Sequence, residues 1–214
     1  MALGVRGPMF IRSLRHLAVA ISLAVAACSV QFVSPYNAEI ASGLAKLNTS
    51  ILSTATDVAR NAQDPRTRAK AAFENYAKTY DEWLAQVETM RTLSDLGNPG
   101  ALDCATVAKR LGSVAGVPTT DMADLQGVGG GRAIDCQTLL LGRLKQRIER
   151  LAEYHRQFCA PTNPNILADC AGGFGARVGV IHVNGDDEAL AVQPTLRTIR
   201  MLMRIQELKK PANS

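Results

Sequence analysis

Apolar side chains in this chain recur at alternating steps of three and four residues, and this spacing constrains the fold more than any other feature. Such steps place side chains on one face of an α-helix, where they pack helix against helix. The sequence therefore predicts an all-α fold. The stripes are Ile40, Leu44, Leu47, Ile51, Ala55 and Val58; Phe73, Tyr76, Tyr80, Trp83, Val87 and Met90; Leu141, Leu144, Ile148, Leu151, His155 and Phe158; and Leu196, Ile199, Met203 and Ile205.

Helix start and stop signals divide this pattern into four long helices. Ser34 and Asp64 are suitable capping residues, and each precedes a proline, which is well tolerated at the first helical position. The turn between the first two helices is short, so these helices should lie antiparallel. We therefore predict an antiparallel four-helix bundle, residues 35–210, with helices near 35–61, 65–96, 136–159 and 192–209.

The segments between these helices have little periodicity. A short helix is expected within "ALDCATVAKRLG", and Asp135 should cap the third long helix. The glycine-rich residues 112–134 are predicted to be a loop-rich insertion, since "GVGGGR" lacks the Lys-Ser/Thr of a phosphate-binding loop. Val178, Val180 and the Asn184-Gly185 turn signal indicate a small β-hairpin.

The first 27 residues have the pattern of an export signal. Arg6, Arg12 and Arg15 precede "LAVAISLAVAA", eleven uncharged residues that are too few to span a bilayer. "VAAC" then resembles a bacterial lipobox, which implies cleavage before Cys28 and its acylation. We therefore predict a lipoprotein signal peptide over 1–27, a lipid-anchored tether over 28–34 and palmitate on Cys28. There are two alternatives. One is an ordinary secretory signal cut after "AVA", and the other is a cytosolic protein with a buried N-terminal helix.

Removal of this signal changes what the charge implies. The chain has 24 basic and 19 acidic residues, and residues 1–27 hold three of the arginines, so the net charge falls from +5 to +2. The basic pI is therefore no argument for nucleic acid. Residues 132–214 keep 12 basic and 8 acidic side chains. This excess is compatible with lipid phosphates or lipopolysaccharide, although a solvated helix face is the more ordinary interpretation.

Four cysteines remain beyond the anchor, Cys104, Cys136, Cys159 and Cys170. An even number in an exported chain predicts two disulfides rather than a zinc site, and no C-x₂-C or C-x-x-C-H motif is present. Cys136 and Cys159 lie at opposite ends of one predicted helix, about 34 Å apart, which excludes their pairing. Two sets of pairings remain. One is Cys104–Cys136 with Cys159–Cys170, and the other is Cys104–Cys159 with Cys136–Cys170. We favour the first set, in which each bridge is local.

The order of motifs resembles a group of small proteobacterial lipoproteins. The resemblance rests on the lipobox, "SPYNAEIASGLAKL", "FENYAKTYDEWL" and the ending "IQELKK". It does not extend over residues 97–135 or 160–190. It implies an all-helical exported domain and supplies no catalytic residue. In enteric-type sorting Asp after the cysteine retains lipoproteins at the inner membrane, so Ser29 favours the outer membrane.

No catalytic set is recognisable in the sequence. Only His155 and His182 remain after processing, and neither a G-x-S-x-G nor an H-E-x-x-H motif occurs. Glu149 and Glu153 share a helix face, but the basic residues around them favour surface ion pairs.

We therefore expect a protein that is not an enzyme and needs no cofactor: a membrane-anchored periplasmic lipoprotein that binds or scaffolds an envelope protein. The alternatives are a cell-envelope enzyme with a site formed by residues 97–135 and 160–190, and a lipid or lipopolysaccharide carrier.

Overall fold

The structure is a computed structural model, and it describes residues 36–96, 103–112, 135–160, 162, 170–171, 173–174 and 192–210. Within these ranges it forms helices and no strand, which confirms the all-α prediction. Two 3₁₀ helices, Arg68–Ala71 and Phe73–Asn75, lie between the first two α-helices. The five longer helices are α1 (Ala38–Gln63), α2 (Ala77–Leu96), α3 (Cys104–Gly112), α4 (Cys136–Phe158) and α5 (Val192–Leu208).

Side-chain oxygens cap three of these helices. Asn37 accepts hydrogen bonds from two backbone N–H groups in the first turn of α1, at 2.9 and 3.1 Å. Asp103 and Asp135 each accept one from the N–H three residues later, at 2.8 and 3.4 Å. The cap expected at Asp135 is therefore confirmed. The first helix begins later than expected because Asn37 is extended and acts as its cap. Ser34 lies outside the described residues.

The predicted stripes form the core of the domain. All six positions expected on α1 are buried, as are most of those on α2, α4 and α5. The exceptions are half-buried. Phe73, Tyr76 and Met203 pack against the core, and the ring of Phe158 lies 4.6 Å from that of Tyr154. Helical periodicity therefore identified most of the core-facing positions.

Hydrogen bonds between helices show how the long helices run. Where α1 faces α2, Trp83 donates to Ser50 and Gln86 donates to the Gly43 carbonyl. Residue numbers thus fall along α1 as they rise along α2, so the two helices are antiparallel. The same reversal relates α2 to α4 and α4 to α5. α5 also packs on α1. The four-helix bundle arrangement as a whole stays a prediction.

The expectation of one continuous helix over residues 65–96 is wrong in its first part. The α-helix begins at Ala77, because the chain is extended at Ala72 between the two 3₁₀ helices. Asn75 stabilises this break by donating its side-chain amide to the carbonyls of Ala69 and Lys70. The carbonyl of Ala71 is thereby freed from α-helical bonding, and it accepts a hydrogen bond from a distant helix instead.

Three sequence predictions lie outside the described residues. They are the signal peptide with Cys28 and its tether, the glycine-rich part of the insertion, and the β-hairpin. The short helix expected near Cys104 is confirmed as α3. None of the helices that the structure describes combines the length and the apolar character that crossing a bilayer requires.

Candidate functional site

The structure brings the four domain cysteines together in two pairs. Cys104 Sγ lies 1.98 Å from Cys136 Sγ, and Cys159 Sγ lies 2.02 Å from Cys170 Sγ, both at disulfide distance. These are the two local pairings that the sequence favours, and all four residues are buried. The first pair ties α3 to the start of α4. The second ties the end of α4 to Cys170, which is helical, as are Ala171, Gly173 and Phe174.

A buried histidine organises the end of the domain where α2 begins and α4 ends, which we call the aromatic end. His155 on α4 is 0 % exposed. Its ring centroid lies 4.8 to 5.8 Å from those of four aromatic side chains on three segments: Phe73, Tyr76, Tyr80 and Phe174. Such contacts make this end a closely packed apolar cluster around one polar ring.

Both ring nitrogens of His155 have partners that define the tautomer. The Ala71 carbonyl lies 2.7 Å from Nε2 and can only accept, so Nε2 carries the proton. Nδ1 therefore accepts from the Tyr80 hydroxyl, 2.9 Å away. Burial lowers the pKa of His155 and raises the pKa of Tyr80, so both groups are neutral at physiological pH. His155 is thus a hydrogen-bonded core residue, which agrees with its position on the predicted apolar stripe.

Metal coordination finds no support among the residues that the structure describes. No group of three or more His, Cys, Asp or Glu side chains is placed there to hold an ion. His155 uses both nitrogens in protein hydrogen bonds. His182 lies outside the described residues.

A buried polar cluster occupies the opposite end, where α2 ends and α4 begins, which we call the polar end. Gln137 at its centre donates to Ser94 Oγ at 3.0 Å. Its Oε1 accepts from Gln206 Nε2 and, at 2.6 Å, from Lys209 Nζ. Gln206 Oε1 in turn accepts from the Asn37 backbone N–H at 3.2 Å. One chain of hydrogen bonds therefore joins α1, α2, α4 and the C-terminal end of α5.

Lys209 is the unusual member of this cluster. It is 8 % exposed, and burial lowers the pKa of its ammonium group, while the nearby charge of Asp135 opposes that shift. Asp135 is itself buried and also lies 3.4 Å from Ser94 Oγ. The polar end thus holds two opposite charges in the interior, each hydrogen-bonded to neutral side chains.

Sequence reasoning missed the polar end, although a signal for it exists. Ser94 continues the stripe of α2, four residues after Met90. Gln206 follows Leu202 at the same spacing, and Lys209 follows Ile205. A polar residue at a position that the period assigns to the core marks a buried hydrogen-bonded layer.

The exposed surface of α4 and α5 is strongly basic. α4 and α5 together carry eight basic and three acidic side chains, whereas α1 and α2 carry four basic and six acidic ones. The net charge is therefore +5 on one pair of helices and −2 on the other. Six arginines that share one helix face on each of α4 and α5 form what we call the arginine face: Arg143, Arg147, Arg150, Arg197, Arg200 and Arg204.

Arg147 shows which side of α4 this face occupies. Its Nη1 donates to the Pro194 carbonyl and to Thr198 Oγ1, so Arg147 lies against the start of α5. Arg143 and Arg150, one turn before and one turn after it, line a cavity of about 210 Å³ together with Arg147 and Gln146. The cavity is therefore walled by guanidinium groups and one amide.

Of the two acidic residues suggested by the sequence, Glu153 forms an ion pair and Glu149 interacts with a lysine through its charge. Glu153 accepts from Arg156, and Lys145 binds Glu88 across the α2–α4 interface while its charge also interacts with Glu149. These contacts agree with the surface ion-pair interpretation of Glu149 and Glu153.

Comparisons with known proteins found no matching family model, curated protein or solved structure.

Proposed function

We propose that this chain is a periplasmic lipoprotein, anchored by acyl chains on Cys28, whose helical domain binds or scaffolds another component of the cell envelope. In this proposal the helical domain binds a partner and does not catalyse a reaction. Of the residues that the sequence offers for chemistry, His155 is hydrogen-bonded in the core, Glu153 pairs with Arg156, and the charge of Glu149 acts on Lys145.

The observation that carries the proposal is the pairing of all four domain cysteines. Disulfides persist in oxidising compartments such as the periplasm and are rare in the cytosol. Cys104 and Cys136 are 32 residues apart in sequence with Cα atoms 4.7 Å apart, and Cys159 and Cys170 are 11 residues apart with Cα atoms at 4.9 Å. Two independent pairs support the export that the N-terminal pattern predicts.

The number of residues between Cys28 and the first helix is also compatible with a lipid anchor at Cys28. α1 begins at Ala38, which leaves residues 28–37 as a connection. Ten extended residues reach at most about 33–36 Å. An anchored domain would therefore remain within a few tens of ångströms of the bilayer, and Ser29 favours the outer membrane.

Acylation is tested directly by metabolic labelling. Radiolabelled palmitate should enter the wild-type chain and not the Cys28→Ser variant, because the thiol is the attachment site. Equal labelling of both proteins, or none of either, would refute the anchor.

The partner is tested by photo-cross-linking in cells. A benzophenone amino acid at Leu52, which is 38 % exposed on α1, or at Leu208, which is 37 % exposed on α5, samples two sides of the domain. The proposal expects one defined envelope component to be captured from a particular side. Capture of no component from either position would contradict it.

A further inference from the structure

We propose that the arginine face binds the phosphate groups of anionic membrane lipids, so that the domain lies with α4 and α5 against the bilayer. This inference deepens the proposed function and rests on it, since the Cys28 anchor supplies the membrane. It names the surface involved and the chemistry that this surface recognises.

The composition of the face favours phosphate. All six of its basic residues are arginines. A guanidinium group is planar and always charged, and its donors match two phosphate oxygens, whereas the ammonium group of lysine acts as a point charge. Arg143, Arg147 and Arg150 converge on one cavity, which Gln146 supplies with an amide.

Three of the six arginines on this face take no part in the ion pairs of the described residues. Of the three glutamates on α4 and α5, Glu153 pairs with Arg156 and Glu207 pairs with Lys210. Among the described residues, no ion pair within 4 Å involves Arg150, Arg200 or Arg204. Their charges are therefore available to an external anion.

The distribution of charge gives the domain a preferred orientation. The α1–α2 pair carries −2 and the α4–α5 pair +5, so an anionic surface attracts one side and repels the other. Arg143 to Arg150 and Arg197 to Arg204 each extend about 10 Å along their helices at 1.5 Å per residue. Two such rows on neighbouring helices form an extended patch, which suits a surface of many phosphates better than a single soluble ion.

The test compares two charge-matched triple variants of the full chain, each also carrying Cys28→Ser so that no acyl chain contributes. One variant is Arg150→Gln, Arg200→Gln and Arg204→Gln. The control is Lys46→Gln, Arg60→Gln and Lys78→Gln on α1 and α2, which removes the same charge from the opposite side. Circular dichroism confirms that both are folded, and the N-terminal arginines are common to all proteins.

Co-sedimentation with vesicles measures the binding. The parent protein should bind phosphatidylglycerol-containing vesicles much more strongly than pure phosphatidylcholine vesicles, and added salt should weaken the binding. Each basic residue near an anionic surface contributes roughly fivefold to partitioning, so the α4–α5 variant should lose roughly a hundredfold. The control should lose less than threefold. Equal losses in both variants, or equal binding to both kinds of vesicle, would overturn the proposal.

Arginine modification locates the contact within the same samples. Anionic vesicles should slow the reaction of Arg150, Arg200 and Arg204 with phenylglyoxal, and should leave Arg60 unaffected. Two further outcomes would show that the anion bound by the arginine face is not a membrane lipid. In the first, inorganic phosphate displaces the protein from the vesicles at an ionic strength at which chloride does not. This would indicate a site for free phosphate. In the second, polyglutamate protects these arginines from phenylglyoxal and vesicles do not. This would indicate that the face binds an acidic protein.

The vesicle assay does not depend on acylation. Palmitate labelling of Cys28 without binding by the arginine face would leave the anchor intact and refute this inference alone. Binding without labelling would refute the anchor alone.

Discussion

The aromatic end and the polar end of this domain each hold a buried cysteine pair and buried polar side chains, but they are stabilised differently. At the aromatic end one histidine, satisfied by two partners, sits among aromatic rings. At the polar end amides, a hydroxyl and two opposite charges bond to one another. Burial of apolar area dominates the first, and directional hydrogen bonding dominates the second.

This difference indicates what each end contributes to the fold. Apolar contacts are non-directional, so the aromatic end tolerates small adjustments and supplies most of its stability through area. A hydrogen-bond network at the polar end is satisfied in only one alignment of the helices. We therefore interpret the polar end as the feature that sets helix register, in the way that a buried polar residue does in coiled coils.

The largest effect should come from opening a cavity next to the aromatic end. Trp83 is 3 % exposed, packs edge-on against Tyr80 with ring centroids 5.0 Å apart, and donates to Ser50 Oγ at 2.9 Å. Trp83→Ala should lower the free energy of unfolding by about 3–5 kcal/mol in urea denaturation, because it leaves a core cavity. Leu96→Ala, at a position 80 % exposed, is the control and should change it by less than about 0.5 kcal/mol. Similar small effects from both would show that the stripe is not core.

The two cysteine pairs allow the ends to be compared directly. In the chain-entropy model, a bridge spanning 32 residues contributes about 4 kcal/mol and one spanning 11 residues about 3 kcal/mol. Cys104→Ala with Cys136→Ala should therefore cost more than Cys159→Ala with Cys170→Ala, measured by thermal unfolding. Non-reducing peptide mapping provides the control. A linked peptide containing Cys104 and Cys159 would contradict both assignments.

Loss of the central amide should disturb the polar end by a smaller amount. Gln137→Leu removes the acceptor of Lys209 Nζ and leaves that ammonium group in the interior. We expect a cost of about 2–3 kcal/mol. Adding Lys209→Met should recover part of it, because a buried charge without a partner costs more than an apolar side chain of similar size. A double-mutant cycle measures this coupling. Strict additivity would mean that the two side chains do not interact.

The smallest effect is a dependence of stability on pH that arises from His155 at the aromatic end. The pKa of His155 is lowered in the folded state, so the unfolded chain binds more protons below about pH 6.5. Stability is therefore complete above that pH and falls as the pH decreases toward the folded-state pKa, by at most about 1.4 kcal/mol per pH unit.

Unfolding measured between pH 7 and pH 5 should show this slope in the wild type. His155→Gln is the control and should remove this slope. A slope that persists in His155→Gln would have to come from another group.

Much of the architecture follows from sequence alone, because the features concerned are local. The period of 3.6 residues places Ile40, Leu44 and Leu47 on one side of a helix whatever they contact. The length of α4 separates Cys136 from Cys159, which leaves pairings that local chain reversal can satisfy. For the same reason the six residues of the arginine face lie on one side of their helices.

Only the tertiary structure decided the two features that join distant segments. The helix expected over residues 65–96 breaks at Ala72, and the freed carbonyl of Ala71 meets His155, 84 residues later. The polar end requires Gln137, Gln206 and Lys209 to meet across two helices. In each case one polar atom is satisfied by a partner far away in sequence. A period along a single helix shows that a position is buried but does not show which distant group it will bond.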